Sequence, residues 1–459
     1  MPKKDLYCHI DQNENALKDM AINIWRNPES AFHEVSASAI QKRYLKEHGF
    51  KIVRIPNNET AFIAEFGQGK PVLGILGEYD ALPGLSQKVS SVKEPLDDSN
   101  LGHGCGHNLL GTAGVGAVVA LKNVMEKENM NGTIRYYGCP AEETLAGKVL
   151  MAKEMVFHDL SACISWHPAS MNVVWGCSHL AMNSIKFRFR GIPSHAAAAP
   201  QAGRSALDAV ELMNVGANYL REHVIEKARI HYVITNGGMV PNVVPDDAEV
   251  WYFVRAPKRT DVRHICERLY KIAEGAELMT ETKMEKTLVA GCYDAVENAV
   301  LGDLLHKNME EAGPPKFTPE DFDFAAELSS LSTKEEKKKV MSTYFAPDHV
   351  LDQILCDEII KVNDRNEIMA GSVDAGDVSY ITPFAQFTAA TWPVGTAAHT
   401  WIATASSGSG IGLNAMIFAA KALSGAVYDL LNDNSIVDAA RNEFQISMGD
   451  FKYISPYEE

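Results

Sequence analysis

The chain has 459 residues, 46% hydrophobic and 22% charged, the balance of a folded protein long enough for more than one core. Its net charge of −16 disfavours nucleic acid, whose phosphates it would repel, and requires any anionic substrate to find a local cationic pocket. No stretch approaches the roughly 18–20 unbroken apolar residues of a membrane span, so no membrane partner is expected.

The N-terminus carries Lys3 and Lys4 with no apolar segment behind them. A secretory signal is therefore not expected, and a cytoplasmic location follows. Residues 15–25 predict an amphipathic helix, with Leu17, Met20, Ala21 and Ile24 at helical spacing. Short β-rich runs follow at 61–66 and 72–76, then a turn-rich loop over 77–106. A long apolar helix over about 109–125 has a Gly-rich start, which suits close packing against a sheet. A strand at 133–137, a helix after Glu143 and a strand at 162–166 continue the alternation. That rhythm predicts an α/β unit with a mostly parallel central sheet and active residues beyond its strand ends.

Near Leu180 the rhythm changes. Ile185, Phe187 and Phe189 share one face, as in a half-exposed antiparallel strand. A helix at 206–220, strands at 230–235 and 249–255, a helix at 261–279 and a strand at 283–289 complete a βαββαβ order. The expected organisation is a catalytic domain over 1–179 and 298–459, interrupted by a smaller α+β domain over 180–297. The charged stretch 317–363, with KEEKKK at 334–339, reads as a solvated surface insertion before it reads as a binding patch. The eight cysteines are scattered, which suggests buried or ligand thiols rather than a disulfide framework.

Chemistry concentrates in a few short segments. In Gly102-His103-Gly104-Cys105-Gly106-His107-Asn108 a thiol and an imidazole converge from one tight turn, as zinc and related metals accept. The same segment, taken alone, reads equally as a Gly-rich helix start. Adjacent Glu142 and Glu143 follow an apolar strand, where one could bind metal while the other acts as general base. An acidic helix N-terminus explains that pair as well. His167 follows the run ACISW, and His399 lies in GTAAHTW. Either histidine alone reads as structural. Together, Cys105, His107, Glu143, His167 and His399 fit a binuclear site with one bridging group and room for water.

HGCGHN, PAEE, the isolated WH, GIPSHAAAAP, GGMVPNVVPD and GTAAHTW follow one another in an order that resembles the aminoacylase/carboxypeptidase-G type of metallopeptidase. The cysteine places the resemblance in the amidohydrolase branch, with its hippurate, auxin-conjugate and aminobenzoyl-glutamate hydrolases. GEYDALPGL, GHGCGHNLLG and SVDAGDVSYITP are most similar to the last group. The resemblance covers nearly the whole chain. It implies a zinc-peptidase-like catalytic domain interrupted by a lid or dimerisation domain, and two divalent ions, zinc or manganese. The substrate it implies is a small N-acyl amino acid, foremost p-aminobenzoyl-glutamate, and the assembly a homodimer or a pairing with a sister subunit. Carried over motif by motif, Cys105, His107, Glu143, His167 and His399 are ligands and Glu142 the base. His195 in the GxxxHA pattern would stabilise the oxyanion near a partner's site, and Asn242 would touch substrate.

Two departures stand out. Relatives carry Asp where this chain has Asn108, which would remove a negative charge beside the metals and could alter metal preference. The wider family's HxD motif is here Glu78-Tyr79-Asp80, so neither acid is counted as a ligand and Asp80 is expected behind the ligands. In the expected reaction Glu142 takes a proton from the attacking water and delivers it to the leaving amine. Arg204 and Arg255 could each hold a substrate carboxylate, or serve salt bridges within the inserted domain. Trp166, Trp175, Trp392 and Trp401 would suit an aromatic acyl group, or simply pack the core. The competing functions are a deacylase or dipeptidase of other specificity and a non-catalytic supporting subunit. The retained base and five ligands argue against the last, and a metal-storage module would leave Glu142 unexplained.

Overall fold

The computed structural model describes residues 2–362 and 364–459. Asn363, at the end of the charged stretch, lies outside the described residues. The chain forms two compact units. The larger comprises the chain up to Cys177 with Val296–Met369 and Val378–Tyr453; the smaller comprises Ser178–Ala295, Ala370–Asp377 and Ile454–Glu459.

The larger unit is built on an eight-stranded mixed sheet. Its strand order is Lys51–Ile55, Asn58–Gln68, Gly132–Cys139, Val72–Glu78, Ala162–Ala169, Phe384–Ala390, Asn172–Trp175 and Ile359–Ile360. The four strands from Gly132–Cys139 to Phe384–Ala390 are parallel. The pairs Lys51–Ile55 with Asn58–Gln68, Asn58–Gln68 with Gly132–Cys139, and Phe384–Ala390 with Asn172–Trp175 are antiparallel. The parallel block is buried on both faces, which explains why Val72–Glu78 and Phe384–Ala390 read as continuous rather than alternating apolar runs.

Helix His107–Glu128 lies directly on this block. A Cβ at Gly111 would come within 2.5 Å of the Glu78 carbonyl oxygen, so glycine there sets how closely helix and strand approach. This helix and Gly410–Asn432 are long and apolar enough to cross a membrane, but most of each apolar window is buried in the core. The charged stretch folds as helices Pro319–Ser329 and Lys334–Ser342, each opened by a capping box, Thr318 with Asp321 and Thr333 with Glu336. The second packs its Lys337 against Gly395, shortly before His399 in the chain.

The smaller unit is a four-stranded antiparallel sheet in the order Arg229–Asn236, Asp247–Ala256, Ala181–Arg190, Lys283–Cys292. Helices Ala206–Leu220 and Arg259–Thr280 share its buried cluster, which includes Ile185, Phe187, Phe189, Met213, Val250 and Leu269. Arg259 is buried in this unit, donating to Asn183 Oδ1 at 2.6 Å and pairing with Glu459 at 2.6 Å. The outer strand Arg229–Asn236 leaves Val233 and Ile234 exposed, and the helix Ala206–Leu220 does the same with Val215 and Tyr219.

Candidate active site

Parallel strands deliver side chains to one edge of a sheet, at their C-terminal ends. Glu78 closes its strand opposite Cys139, the last residue of the neighbouring strand. Asp80 follows shortly after the first, and Glu142 and Glu143 shortly after the second. On the next strand His167 is still within the ladder, paired with Thr388, rather than just past the strand as the run ACISW suggests. Cys105 and His107 arrive from the turn that starts the long helix. Gly106 between them has φ 70°, and a Cβ there would meet the Pro168 ring at 2.8 Å. That position admits little but glycine, which explains the spacing of thiol and imidazole.

The strained turns around the cluster are held from behind. Ala141 and Leu145, both at φ 56°, bracket the short 3₁₀ turn Glu142–Thr144. The Ala141 N–H donates to Glu34 Oε1 at 2.8 Å, and the Glu143 N–H donates to Asp80 Oδ2 at 2.9 Å. His399, at φ 60°, donates its N–H to Gly104 O at 2.9 Å, tying its loop to the cysteine turn.

The side chains form three overlapping groups, each with its donor atoms within 4.8 Å of one another: Cys105, His107 and His167; Cys105, Glu143 and His399; Glu78, His107 and Glu142. Cys105 Sγ lies 3.5 Å from His167 Nε2, and His399 Nε2 lies 3.2 Å from Glu143 Oε2. Two of the imidazoles are oriented through Nδ1. His107 donates Nδ1–H to Asp80 Oδ1 at 2.8 Å, and His167 donates Nδ1–H to the Pro168 carbonyl at 2.8 Å. Each Nε2 is thereby turned toward the cluster, the orientation that metal-binding imidazoles take from such partners.

Electrostatics follow from burial and mutual contact. Burial opposes ionisation of Cys105, but the imidazoles of His167 and His107 outweigh it and hold the thiol well below its usual range. Burial, reinforced by Cys105, pushes the Glu143 carboxyl up to about 7. Hydrogen bonding to Cys105 and Glu143 pushes His399 up to about 11. A divalent ion suits this set on two grounds. Thiolate, imidazole and carboxylate are the donors zinc and its neighbours accept. In addition, His107 Nε2 and Glu78 Oε2 are buried with no hydrogen bond at either atom among the described residues.

Three residues of this region were given no role from the sequence: Glu34, Lys148 and Glu78, the last named there only as the counterpart of the HxD histidine and left out of the ligands. Glu34, fully buried, has its carboxyl pushed up to about 7 by burial and by Asp80. Glu78 pairs with Lys148, itself fully buried, at 2.6 Å. Apart from that motif, the local hints were an acid ending the apolar run VLGILGE and a lysine inside the apolar run GKVLMAK. Asn108 also has a role that its charge does not suggest. Its amide donates to Ala21 O at 3.3 Å and Ser407 O at 3.1 Å, which an aspartate could not do.

The other candidates lie in the smaller unit. His195 is exposed, and its Nδ1 accepts from the Ala197 and Ala198 N–H groups at 3.2 and 3.1 Å, leaving Nε2 to carry the ring proton. Ala196 donates to Asn242 O at 3.0 Å, so the two loops form one edge. Arg204 is tied to Glu281 at 2.7 Å. Arg255 has no carboxylate at ion-pair distance among the described residues; it donates to Ser372 Oγ at 3.3 Å. Of the four tryptophans named above, Trp175 stacks on a candidate ligand, with its ring centroid 5.3 Å from that of His167. Trp166 and Trp392 are core residues.

A peptidase dimerisation domain family matches residues 178–278. The chain is 39% identical over 449 residues to one of the subunits of the p-aminobenzoyl-glutamate hydrolase of Escherichia coli, covering 95% of this chain and 93% of that protein. Among solved structures, an aminobenzoyl-glutamate utilization protein from Klebsiella pneumoniae aligns with TM-score 0.60 at 16% identity, over 92% of this chain and 97% of its own. A dinuclear metal-binding peptidase of the M20 family from Bacillus subtilis aligns with TM-score 0.55 at 18% identity, over 90% and 98%. These last two establish likeness of fold.

Proposed function

The chain belongs to the M20 peptidase family, in its amidohydrolase branch, and is an enzyme that hydrolyses amide bonds; from that premise we propose that it deacylates an N-acyl amino acid, with p-aminobenzoyl-glutamate the leading substrate. The observation that carries the reading is the convergence of overlapping donor groups at one sheet edge, with Cys105 common to two of them. Cys105, His107 and His167 would hold one divalent ion, and Cys105, Glu143 and His399 a second, each zinc or manganese. When bound, such ions would polarise the scissile carbonyl and lower the pKa of the attacking water.

The remaining steps belong to the protein. Glu142, beside His107 but not needed to complete either set, accepts the proton of the attacking water. The same carboxyl then returns that proton to the leaving amine. Asp80 fixes the His107 ring, and Glu34 holds the turn that aims Glu142. His195 Nε2–H is assigned to the developing oxyanion; by family resemblance it serves the site of a partner subunit. Arg255, with no carboxylate at ion-pair distance among the described residues, is a better anchor for the amino acid carboxylate than Arg204. Asn242, on the His195 edge, is kept as a weaker substrate contact. Trp175 offers an aromatic face to a benzoyl group.

A dimer is supported by the exposed apolar residues Val215, Tyr219, Val233 and Ile234 of the smaller unit; a sister subunit in place of the second copy would use the same surface. A cytoplasmic location fits cysteines that are thiols rather than disulfides. The test is to load the purified protein with zinc or manganese, supply p-aminobenzoyl-glutamate, and measure released glutamate. Benzoyl-glycine and small acyl-amino acids should be slower. Faster cleavage of those would move the specificity to another deacylase; no cleavage of any, with ions bound, would sink the chain acting alone.

A further inference from the structure

We propose that Glu78 is a metal ligand in this chain, held for that role by its buried pairing with Lys148. The inference rests on the two-ion reading above and extends its ligand set to a residue that the HxD comparison excludes.

Glu78 has two differently engaged oxygens. Oε1 lies 2.6 Å from Lys148 Nζ, and the lysine is fully buried on helix Gly147–Lys153. Oε2 lies 3.2 Å from His107 Nε2, with no hydrogen bond at either atom among the described residues. Both atoms are buried, so the contact is shielded from bulk water. Ligands about 2.0–2.2 Å from one ion stand about 3 Å apart, so the spacing is that of two groups sharing a metal. Glu142, assigned above as the base and not as a ligand, has an oxygen within 4.8 Å of both atoms.

Lys148 explains how the core tolerates such a carboxylate. Pairing at Oε1 makes the couple neutral overall, which reduces the cost of burying an acid at the end of an apolar strand. It also fixes the carboxyl plane, so that Oε2 alone faces His107. The rival is a second proton on His107, which would hold Glu78 as a simple ion pair and leave it no part in metal binding.

Wild type, Glu78→Gln and the double variant Glu78→Gln/Lys148→Met should be loaded with cobalt, dialysed at fixed free metal and counted by elemental analysis. The thiolate-to-cobalt absorption band reports the Cys105 site, and thermal melts report folding. The double variant removes the pair as a neutral unit, so it decides the question if the single variant fails to fold. Two ions are expected in wild type. Both variants should lose one, its affinity falling by more than about 100-fold, beyond the usual effect of removing a group behind the ligands. The thiolate band should persist. Retention of both ions at wild-type affinity overturns the assignment while leaving the proposed function intact, as does loss of both ions with the band. Absence of ions in wild type itself would remove both.

Discussion

The two clusters of candidate residues are built in opposite ways. In the larger unit Cys105, His107, Glu142 and Glu143 are buried or nearly so, with His399 the exposed member of the set, and each is fixed by a strand end, a left-handed residue or a carboxylate behind it. In the smaller unit His195 and Asn242 are exposed, and their side chains are set mainly by backbone turns. Donors that must hold a charged ion in a fixed geometry need such preorganisation, whereas groups that meet a substrate only during turnover do not. The contrast predicts that changes in the first cluster alter metal content, and changes in the second alter kinetics alone.

The largest expected effect is at the residue common to two donor groups. Cys105→Ala should abolish turnover and reduce bound metal below two ions per chain by elemental analysis. Full metal content would break the contrast at its strongest point. Next comes His195→Ala, expected to lower kcat by about 10²–10³ with metal content unchanged, the usual cost of one oxyanion donor. Loss of metal in that variant would show that the smaller unit takes part in ion binding.

Arg255→Ala should raise KM for a carboxylated substrate by roughly tenfold to a hundredfold, as expected for a lost charge-assisted pair of about 1.5–3 kcal/mol. Arg204→Ala, which breaks only a pairing with Glu281, should leave KM nearly unchanged. Equal effects would remove the distinction drawn between the two arginines.

The smallest effect is on stability. The folded Glu34 carboxyl titrates at about 7, above its ordinary 4.5. Its contribution is therefore fully present below about pH 4.5 and is lost as pH rises toward 7. Glu34→Gln should gain stability relative to wild type between about pH 5.5 and 7.5, by up to roughly 3 kcal/mol in denaturant melts. An offset that does not change with pH would show that the carboxyl ionises normally.

Much of this was legible in the sequence, because its chemistry is local. The α/β class and a mostly parallel central sheet followed from buried apolar runs alternating with helices; the antiparallel flanking strands did not. Gly111 accounts for the close approach that the Gly-rich start of the long helix suggests. Other elements lacked a sufficient pattern. Helix Val35–Glu47 turns Ala37, Ser38 and Gln41 inward along with Leu45, so it lacks an apolar stripe. Strand Lys51–Ile55 sits at the sheet edge, half-exposed. The run KEEKKK reads as solvated because its lysines dominate, yet its helix lies against the loop that carries His399. Glu34 and Lys148 were silent, and Glu78 was passed over, for a deeper reason. A buried acid acquires meaning from partners far along the chain, as Glu34 does from Ala141 and Glu78 from His107 and Lys148, and no local spacing records them.

The central claim is that the donor cluster of the larger unit holds the ions while Glu142 moves the proton. Its most direct test is Glu142→Ala, assayed for metal content and turnover on the same preparation. The account predicts two ions per chain and a loss of turnover of at least about 10³-fold, within the range for general-base catalysis. Loss of an ion along with activity would make Glu142 a ligand and contradict it.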